Sequence, residues 1–373
     1  MSEPIRILHA GLTDNLGGVE SFVMNIYRKI DRSKVQFDFL VEHSKRLPFE
    51  EEIEALGGRI YHEYYFMRSR NEESAVTVKD FFDRHPEFAG VHLHANGLNT
   101  LFRVLMEAKR HHIPIRVLHS HNNGYMYHYN MKQKLYERYV KTVMGKYVTD
   151  YFACSKEAGE WMFGKNKPFT VIQNAIDLEK FAYNEETRNR IRAELGIEDN
   201  QKLIGFAGSF NYQKDPLSLI DIFKEVYQKD ASYRLVMLGK GKLFDAVQEK
   251  IGEYGLKEAV HCVGSKSNVH EYMQAMDLFL LPSRFEGFGI VLLEAQAAGM
   301  PCVTSKDVVS KSADITGNVQ FVSKELAPTA WADAVLKTEI KRYDAKALLQ
   351  NSDYNIDKLV KKMEDFYEEL LDG

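Results

Sequence analysis

Short apolar runs alternate with longer amphipathic ones along most of the chain. Ile5 to Ala10 is apolar, Gly11 to Gly18 is polar and ends in Gly17-Gly18-Val19-Glu20, and Phe22 to Ile30 carries apolar residues at helical spacing. Strand-like runs recur at Val35 to Val41, Arg59 to Tyr64, Gly90 to His94, Ile115 to His119, Tyr151 to Cys154 and Phe169 to Ile172. Helical stretches such as Glu50 to Leu56 and Leu98 to His111 lie between them. A second series follows, with strands at Leu203 to Ala207, Tyr233 to Leu238, Ala259 to Val263 and Asp277 to Leu281. Its helical runs lie at Leu217 to Val226, Leu243 to Glu253, Val269 to Met276 and onward from Ile290. Such alternation predicts α/β architecture with parallel sheets and right-handed crossovers, whose ligands gather at the carboxyl ends of the strands. The last helical run, Ile356 to Leu371, places Ile356, Leu359, Val360, Met363, Phe366, Tyr367 and Leu370 on one stripe, a core-facing pattern.

At 373 residues and 45% hydrophobic content the chain is long enough for two domains with a core each. Between the two series, Leu178 to Asn200 is charged and lacks an apolar face until Ile191 and Leu195, which predicts a connector. The expected division is a first domain over 1–180 (with the last helix, 355–373), a linker over 181–199 and a second domain over 200–354. Forty-nine basic against fifty-three acidic residues give a net charge of −4, so no nucleic-acid partner is expected. Three distant cysteines form neither a zinc pattern nor a disulfide framework. No apolar run approaches the ~20 residues of a membrane span, and the N-terminus has no secretory pattern, so a cytoplasmic location is expected.

Chemistry concentrates between Leu281 and Pro301, in Leu-Pro-Ser-Arg-Phe-Glu286-Gly-Phe-Gly-Ile-Val-Leu-Leu-Glu294-Ala-Gln-Ala-Ala-Gly-Met-Pro. It reads as strand, glycine-bracketed loop and helix. Gly287 and Gly289 flank Phe288 and let the backbone approach a ligand, with their amides at the positive end of the following helix, where a diphosphate is favoured. Glu286 precedes that helix and Glu294 lies on its second turn, so one carboxylate meets a sugar while the other accepts hydrogen bonds from ribose hydroxyls. In the first series the strand tips His92-Leu-His94 and His119-Ser-His121 are rich in histidine. Neither pair has an acidic or cysteine partner at a recognisable spacing, so they read as hydrogen-bonded strand ends and no metal is expected. Met131 to Tyr147 carries Lys132, Lys134, Arg138, Lys141 and Lys146 around Leu135, Tyr139 and Val143. It is a basic amphipathic helix: either a solvated face over a core stripe, or a dock for anionic lipid head groups.

The P-S-x-x-E-G-F-G and E-A-x-A-x-G-x-P patterns resemble the retaining glycosyltransferases of family four, with the two-domain GT-B fold, over nearly the whole chain. The resemblance implies two Rossmann-like domains facing across a cleft, the first for acceptor and the second for a nucleotide sugar, with the last helix crossing back to the first domain. It implies that Gly17 and Gly18 touch donor and acceptor and that His119, or His121 on an alignment shifted by two, lies near the reactive sugar carbon. Val171-Ile-Gln-Asn174-Ala-Ile-Asp177 looks like the family's exit into the interdomain linker, which adds Asn174 to the donor site. Lys214 matches the family's lysine, whose fixed charge stabilises the leaving diphosphate. Ser209 stands where the family has arginine, a departure that calls for a compensating cation such as Lys240 or Lys242, slower turnover, or loss of activity.

No D-x-D carboxylate pair is present to carry a divalent ion, so no cofactor and a metal-independent reaction are expected, with charge neutralised by Lys214 and backbone amides. The resemblance further implies retaining transfer of a hexose, from a donor most often UDP-linked, to a saccharide or lipid-linked acceptor in surface polysaccharide synthesis. A nucleotide-sugar epimerase on the same fold and a non-catalytic sugar-nucleotide-binding partner are the rival readings.

Overall fold

A computed structural model describes residues 3–14, 17–42, 45–63, 78–124, 130–286, 289–306, 308–309 and 311–372. The chain divides into two units, Met1–Ala175 with Ile356–Gly373, and Ile176–Asn355. In the first, β1 (Ile5–Ala10), β2 (Val35–Glu42), β3 (Ile60–Glu63), β4 (Phe88–Ala95), β5 (Ile115–Ser120), β6 (Asp150–Ala153) and β7 (Thr170–Val171) form a parallel sheet in the order β3-β2-β1-β4-β5-β6-β7. In the second, β8 (Lys202–Ala207), β9 (Tyr233–Leu238), β10 (Val260–Gly264), β11 (Leu278–Leu281), β12 (Cys302–Lys306) and β13 (Val319–Ser323) form another in the order β10-β9-β8-β11-β12-β13, also parallel. Central strands such as β11 are buried along their whole length because helices cover both faces, which is why they read as continuous apolar runs rather than alternating ones.

The C-terminal helix Ile356–Asp372 lays Ile356, Leu359, Val360, Met363 and Tyr367 into the core of the first unit, together with Phe22, Tyr27 and Phe37. Its rim pairs, Lys29–Asp357 at 2.9 Å and Lys34–Glu368 at 3.1 Å, are solvent-exposed and add little beside that burial.

Three expectations need correction. The segment 181–199 is not a linker: it holds the helix Glu185–Glu194, which belongs to the second unit. Asp277, just before β11, accepts from Arg188 at 2.6 Å and Arg192 at 3.1 Å, and also from the Leu203 backbone N–H at 2.7 Å. The arginines that made the segment look solvated thus anchor it to the sheet, and the chain changes units at Ala175/Ile176 and Asn355/Ile356 instead. The basic helix, Met131–Val143, leaves most of its apolar stripe uncovered: Leu135 and Tyr139 are 60% and 49% exposed and Val143 is half-buried, with Met131 at the helix start 73% exposed, while Val140 and Glu137 face inward. Finally, β12, β13 and the helices Val78–Arg84 and Lys156–Phe163 are present where no element was expected.

Candidate active site

In each sheet the order of strands reverses beside the first strand of the unit, between β1 and β4 and between β8 and β11. Loops leaving such a pair diverge and open a crevice at the strand ends, where open α/β sheets bind ligands.

In the second unit those loops carry charge. The Lys214 ammonium donates to Glu286 Oε1 at 2.6 Å, and the Ser283 hydroxyl donates to the same oxygen at 2.6 Å. Glu286 is 4% exposed, so an unpaired carboxylate there would be costly, and the lysine and serine together satisfy it. Beneath, the Lys214 stem runs along Gly208, where an added Cβ would approach its methylenes to 3.3 Å. The two loops are also clamped through Arg284, whose guanidinium lies 2.7 Å from Asp215 Oδ2 and 4.6 Å from the Tyr212 ring centroid. Its own N–H donates to the Gln213 carbonyl at 2.7 Å. Ser283, Arg284 and Asp215 escaped the sequence reading. The serine three residues before the carboxylate was its only local sign, and the clamp joins residues far apart in the chain.

The helix Ile290–Ala297 starts from Gly289, whose φ of 77° is a left-handed conformation that glycine adopts without strain. Gly287 and Phe288 lie outside the described residues. Glu294 is on the second turn; burial pushes its carboxyl up to about 7, against the opposing pull of Lys180 and Lys214. The structure therefore brings Lys214, Glu286, Gly289 and Glu294 into one region of the second unit. Ser209 lies in the same loop as Lys214. The next residue, Phe210, donates its N–H to the Lys240 carbonyl at 2.9 Å and accepts from the Leu243 N–H at 2.9 Å, so Lys240 and Lys242, both exposed, stand on the adjoining turn.

The corresponding position of the first unit is nearly uncharged. Gly11 turns the chain after β1 with φ 97°, and a Cβ there would meet the His94 carbonyl oxygen at 2.0 Å, so only glycine fits against the end of β4. Gly17 is the N-cap of the helix Gly18–Lys29. Glu20, in its first turn, folds back to accept from the Thr13 N–H at 2.7 Å and the Thr13 hydroxyl at 2.9 Å; burial raises its carboxyl, against those bonds. Beside this loop lie five histidine rings, from β1, β4 and β5 and the residue after β5. His9 Nδ1 is 2.9 Å from His94 Nε2, His94 Nδ1 is 2.9 Å from His121 Nε2, His92 Nε2 is 3.0 Å from His119 Nδ1, and His92 Nδ1 is 2.7 Å from the Tyr367 hydroxyl. Burial holds all five well below the usual imidazole range, His121 at about 3.

The expectation that His119 faces the sugar does not fit this arrangement. His119 has no exposed surface and is enclosed by His92, His94, His121, Phe22 and Phe152, whereas His121, two residues on and on the same face, is partly exposed. The pleat carries both side chains to one side, and only the outer one reaches the end of the sheet. Asn174 is 7% exposed, and its Oδ1 has no partner among the described residues.

Residues 16–180 match the family model described as Glycosyltransferase Family 4, and residues 187–367 that of Glycosyl transferases group 1. EpsF of Bacillus subtilis, a glycosyltransferase by name, is 31% identical over 336 residues, covering 89% of this chain and 87% of its own. An Escherichia coli UDP-Gal:alpha-D-GlcNAc-diphosphoundecaprenol alpha-1,3-galactosyltransferase is 27% identical over 218 residues, 54% of each chain. Among solved structures, Anabaena HepE in complex with UDP and glucose superposes with a TM-score of 0.79 at 17% identity, covering 98% of this chain and 99% of that one. The lipopolysaccharide glycosyltransferase WaaG gives 0.69 at 16%, covering 97% and 99%. At these identities the two structures establish the fold, which is GT-B.

Proposed function

Because the chain belongs to the family 4 glycosyltransferases of polysaccharide biosynthesis, we propose that it moves a hexose, with retention, from a UDP-sugar to a saccharide or lipid-linked saccharide. The observation that carries this reading is the Lys214–Glu286 pair at the strand ends of the second unit, beside the left-handed Gly289 that opens a helix. Lys214 spends one N–H on Glu286, and the ammonium has further donors for phosphate oxygens. As the sugar bond breaks, negative charge grows on the departing diphosphate. A fixed ammonium and helix-end amides stabilise it more in the transition state than in the ground state. Glu286 holds the donor sugar and Glu294 accepts from the ribose. The leaving phosphate takes the acceptor proton on the same face, so no side chain serves as an obligatory nucleophile.

With Lys214 and backbone amides meeting the diphosphate, transfer needs neither added Mg2+ nor Mn2+. The charge missing at Ser209 is supplied by Lys240 on the adjoining turn. The test is to mix the protein with labelled nucleotide sugars, with and without membrane extract and without divalent salts. Acceptor-dependent release of UDP is expected. Conversion of the sugar without acceptor would make the protein an epimerase, and binding without turnover a non-catalytic partner.

The exposed stripe of Met131, Leu135 and Tyr139, on a helix carrying Lys132, Lys134 and Arg138, supports a second element of the proposal. This helix lies on an anionic membrane surface, inserting its apolar side chains and pairing its cations with head groups, where a lipid-linked acceptor resides. No helix among the described residues is long and apolar enough to cross a membrane. The protein should sediment with vesicles containing anionic lipid and not with neutral ones; equal binding to both would remove the idea.

A further inference from the structure

The five histidines of the first unit form one connected cluster, and their arrangement has chemistry of its own. His94, on β4, and His119 and His121, from the end of β5, each place a ring nitrogen within 4.8 Å of the other two. These residues are neighbours because β4 and β5 pair in parallel with His94 opposite His119. Read along the chain, His92/His94 and His119/His121 have no third ligand at a metal spacing. The strand register supplies it.

Which nitrogens are available follows from the hydrogen bonds. The Nδ1 of His119 is engaged by His92, which leaves Nε2, and that atom is buried with no partner among the described residues. The Nε2 of His94 is engaged by His9, and its Nδ1 faces His121 Nε2 at 2.9 Å, a hydrogen bond that an ion would replace with two coordinate bonds. We propose that His94 Nδ1, His119 Nε2 and His121 Nε2 form a binding site for one divalent transition-metal ion of the zinc or cobalt class.

Proton counting supports this assignment with every ring neutral. A ring that gives one lone pair to an ion carries its proton on the other nitrogen and donates it to a second shell. With an ion bound, His119 Nδ1–H would donate to His92 Nε2, His92 Nδ1–H to the Tyr367 hydroxyl and His94 Nε2–H to His9 Nδ1, and the His9 Nε2–H would be without a partner among the described residues. Without an ion the His119 Nε2 has nothing to bind, and an unmet buried polar atom is destabilising. The alternative trio, His9, His92 and His94, is wholly buried and gives an ion no way in, whereas His121 is partly exposed. Three imidazoles suit zinc or cobalt and not magnesium, so this site is separate from diphosphate neutralisation in the second unit.

The test uses the full chain without a histidine tag. Metal analysis after dialysis, and titration with Co2+ followed by visible absorption, should give one ion per chain, displaced by Zn2+. His121→Ala, at the partly exposed position, and His119→Ala should each weaken Co2+ binding at least tenfold, with His111→Ala, at the C-cap of the helix Arg103–Arg110, as the unaffected control. Failure of the wild-type chain to take up a stoichiometric ion, or binding by His121→Ala as tight as wild type, overturns the proposal. Either result is independent of whether sugar transfer is observed.

Discussion

The two units share an architecture and differ in what they place at its functional end. Each is a parallel sheet whose strand order reverses beside its first strand, and each opens its crevice there. In the second unit the position holds ion pairs, Lys214 with Glu286 and Arg284 with Asp215. In the first it holds imidazoles kept neutral by burial, beside a loop that Glu20 ties back to Thr13. A diphosphate demands fixed cations and amides, whereas a sugar hydroxyl demands neutral hydrogen-bonding groups that do not compete for it. The fold supplies the location in both cases, and the side chains at the strand ends supply the chemistry.

The largest test of that contrast is Lys214→Ala. Loss of the Lys214 ammonium from the proposed diphosphate site should lower kcat about 100- to 1,000-fold, the usual effect of removing a preorganised charge-stabilising group. The same change strands Glu286 as a buried, uncompensated carboxylate. Lys214→Ala should therefore be less stable than Lys214→Ala/Glu286→Gln, by about 3 kcal/mol if the pair behaves as buried pairs do. Equal melting temperatures for the single and double variants would mean that solvent screens the pair.

A smaller change in the opposite direction is expected from Ser209→Arg. A charge-assisted hydrogen bond contributes about 1.5 to 3 kcal/mol, so a correctly placed guanidinium should raise turnover about ten- to a hundredfold. With Lys240 already supplying the charge, the gain falls toward the lower end, and Lys240→Ala combined with Ser209→Arg should separate the two contributions. Unchanged turnover in Ser209→Arg would show that this loop works differently.

The smallest effect is the pH dependence set by Glu294. Its folded carboxyl titrates near 7, against an ordinary value of 4.5, so below neutrality it is protonated and loses acceptor capacity for the ribose. The KM for donor should rise a few-fold as pH falls through 7, and Glu294→Gln should flatten that dependence. For stability the sign is fixed by the same shift. The unfolded chain releases this proton near 4.5 and the fold holds it until about 7, so ionisation penalises the fold increasingly between those values. Glu294→Gln should gain stability relative to wild type across that window, measured as melting temperature against pH.

Much of this was legible in the chain. β9 coincides with the apolar run Tyr233 to Leu238, and the Glu286 to Glu294 spacing placed both carboxylates about one helix start because loop and helix are local features. Long-range relations were not legible. His9 and His94 are 85 residues apart and His92 and Tyr367 are 275 apart, so nothing in local spacing announces a histidine cluster. The same limit explains Arg188 and Arg192, charges on a polar helix until Asp277 is brought beside them by β11. Leu135 and Tyr139 failed for the converse reason: helical periodicity finds an apolar stripe but does not say whether anything covers it.

Binding of a nucleotide diphosphate at the strand ends of the second unit is best checked by a crystal structure of the UDP complex. Phosphate oxygens are expected on the Lys214 ammonium and on the amides that open the Ile290–Ala297 helix, with the ribose at Glu294. UDP seated away from residues 286–294, or with Lys214 still turned from the phosphates, would contradict it.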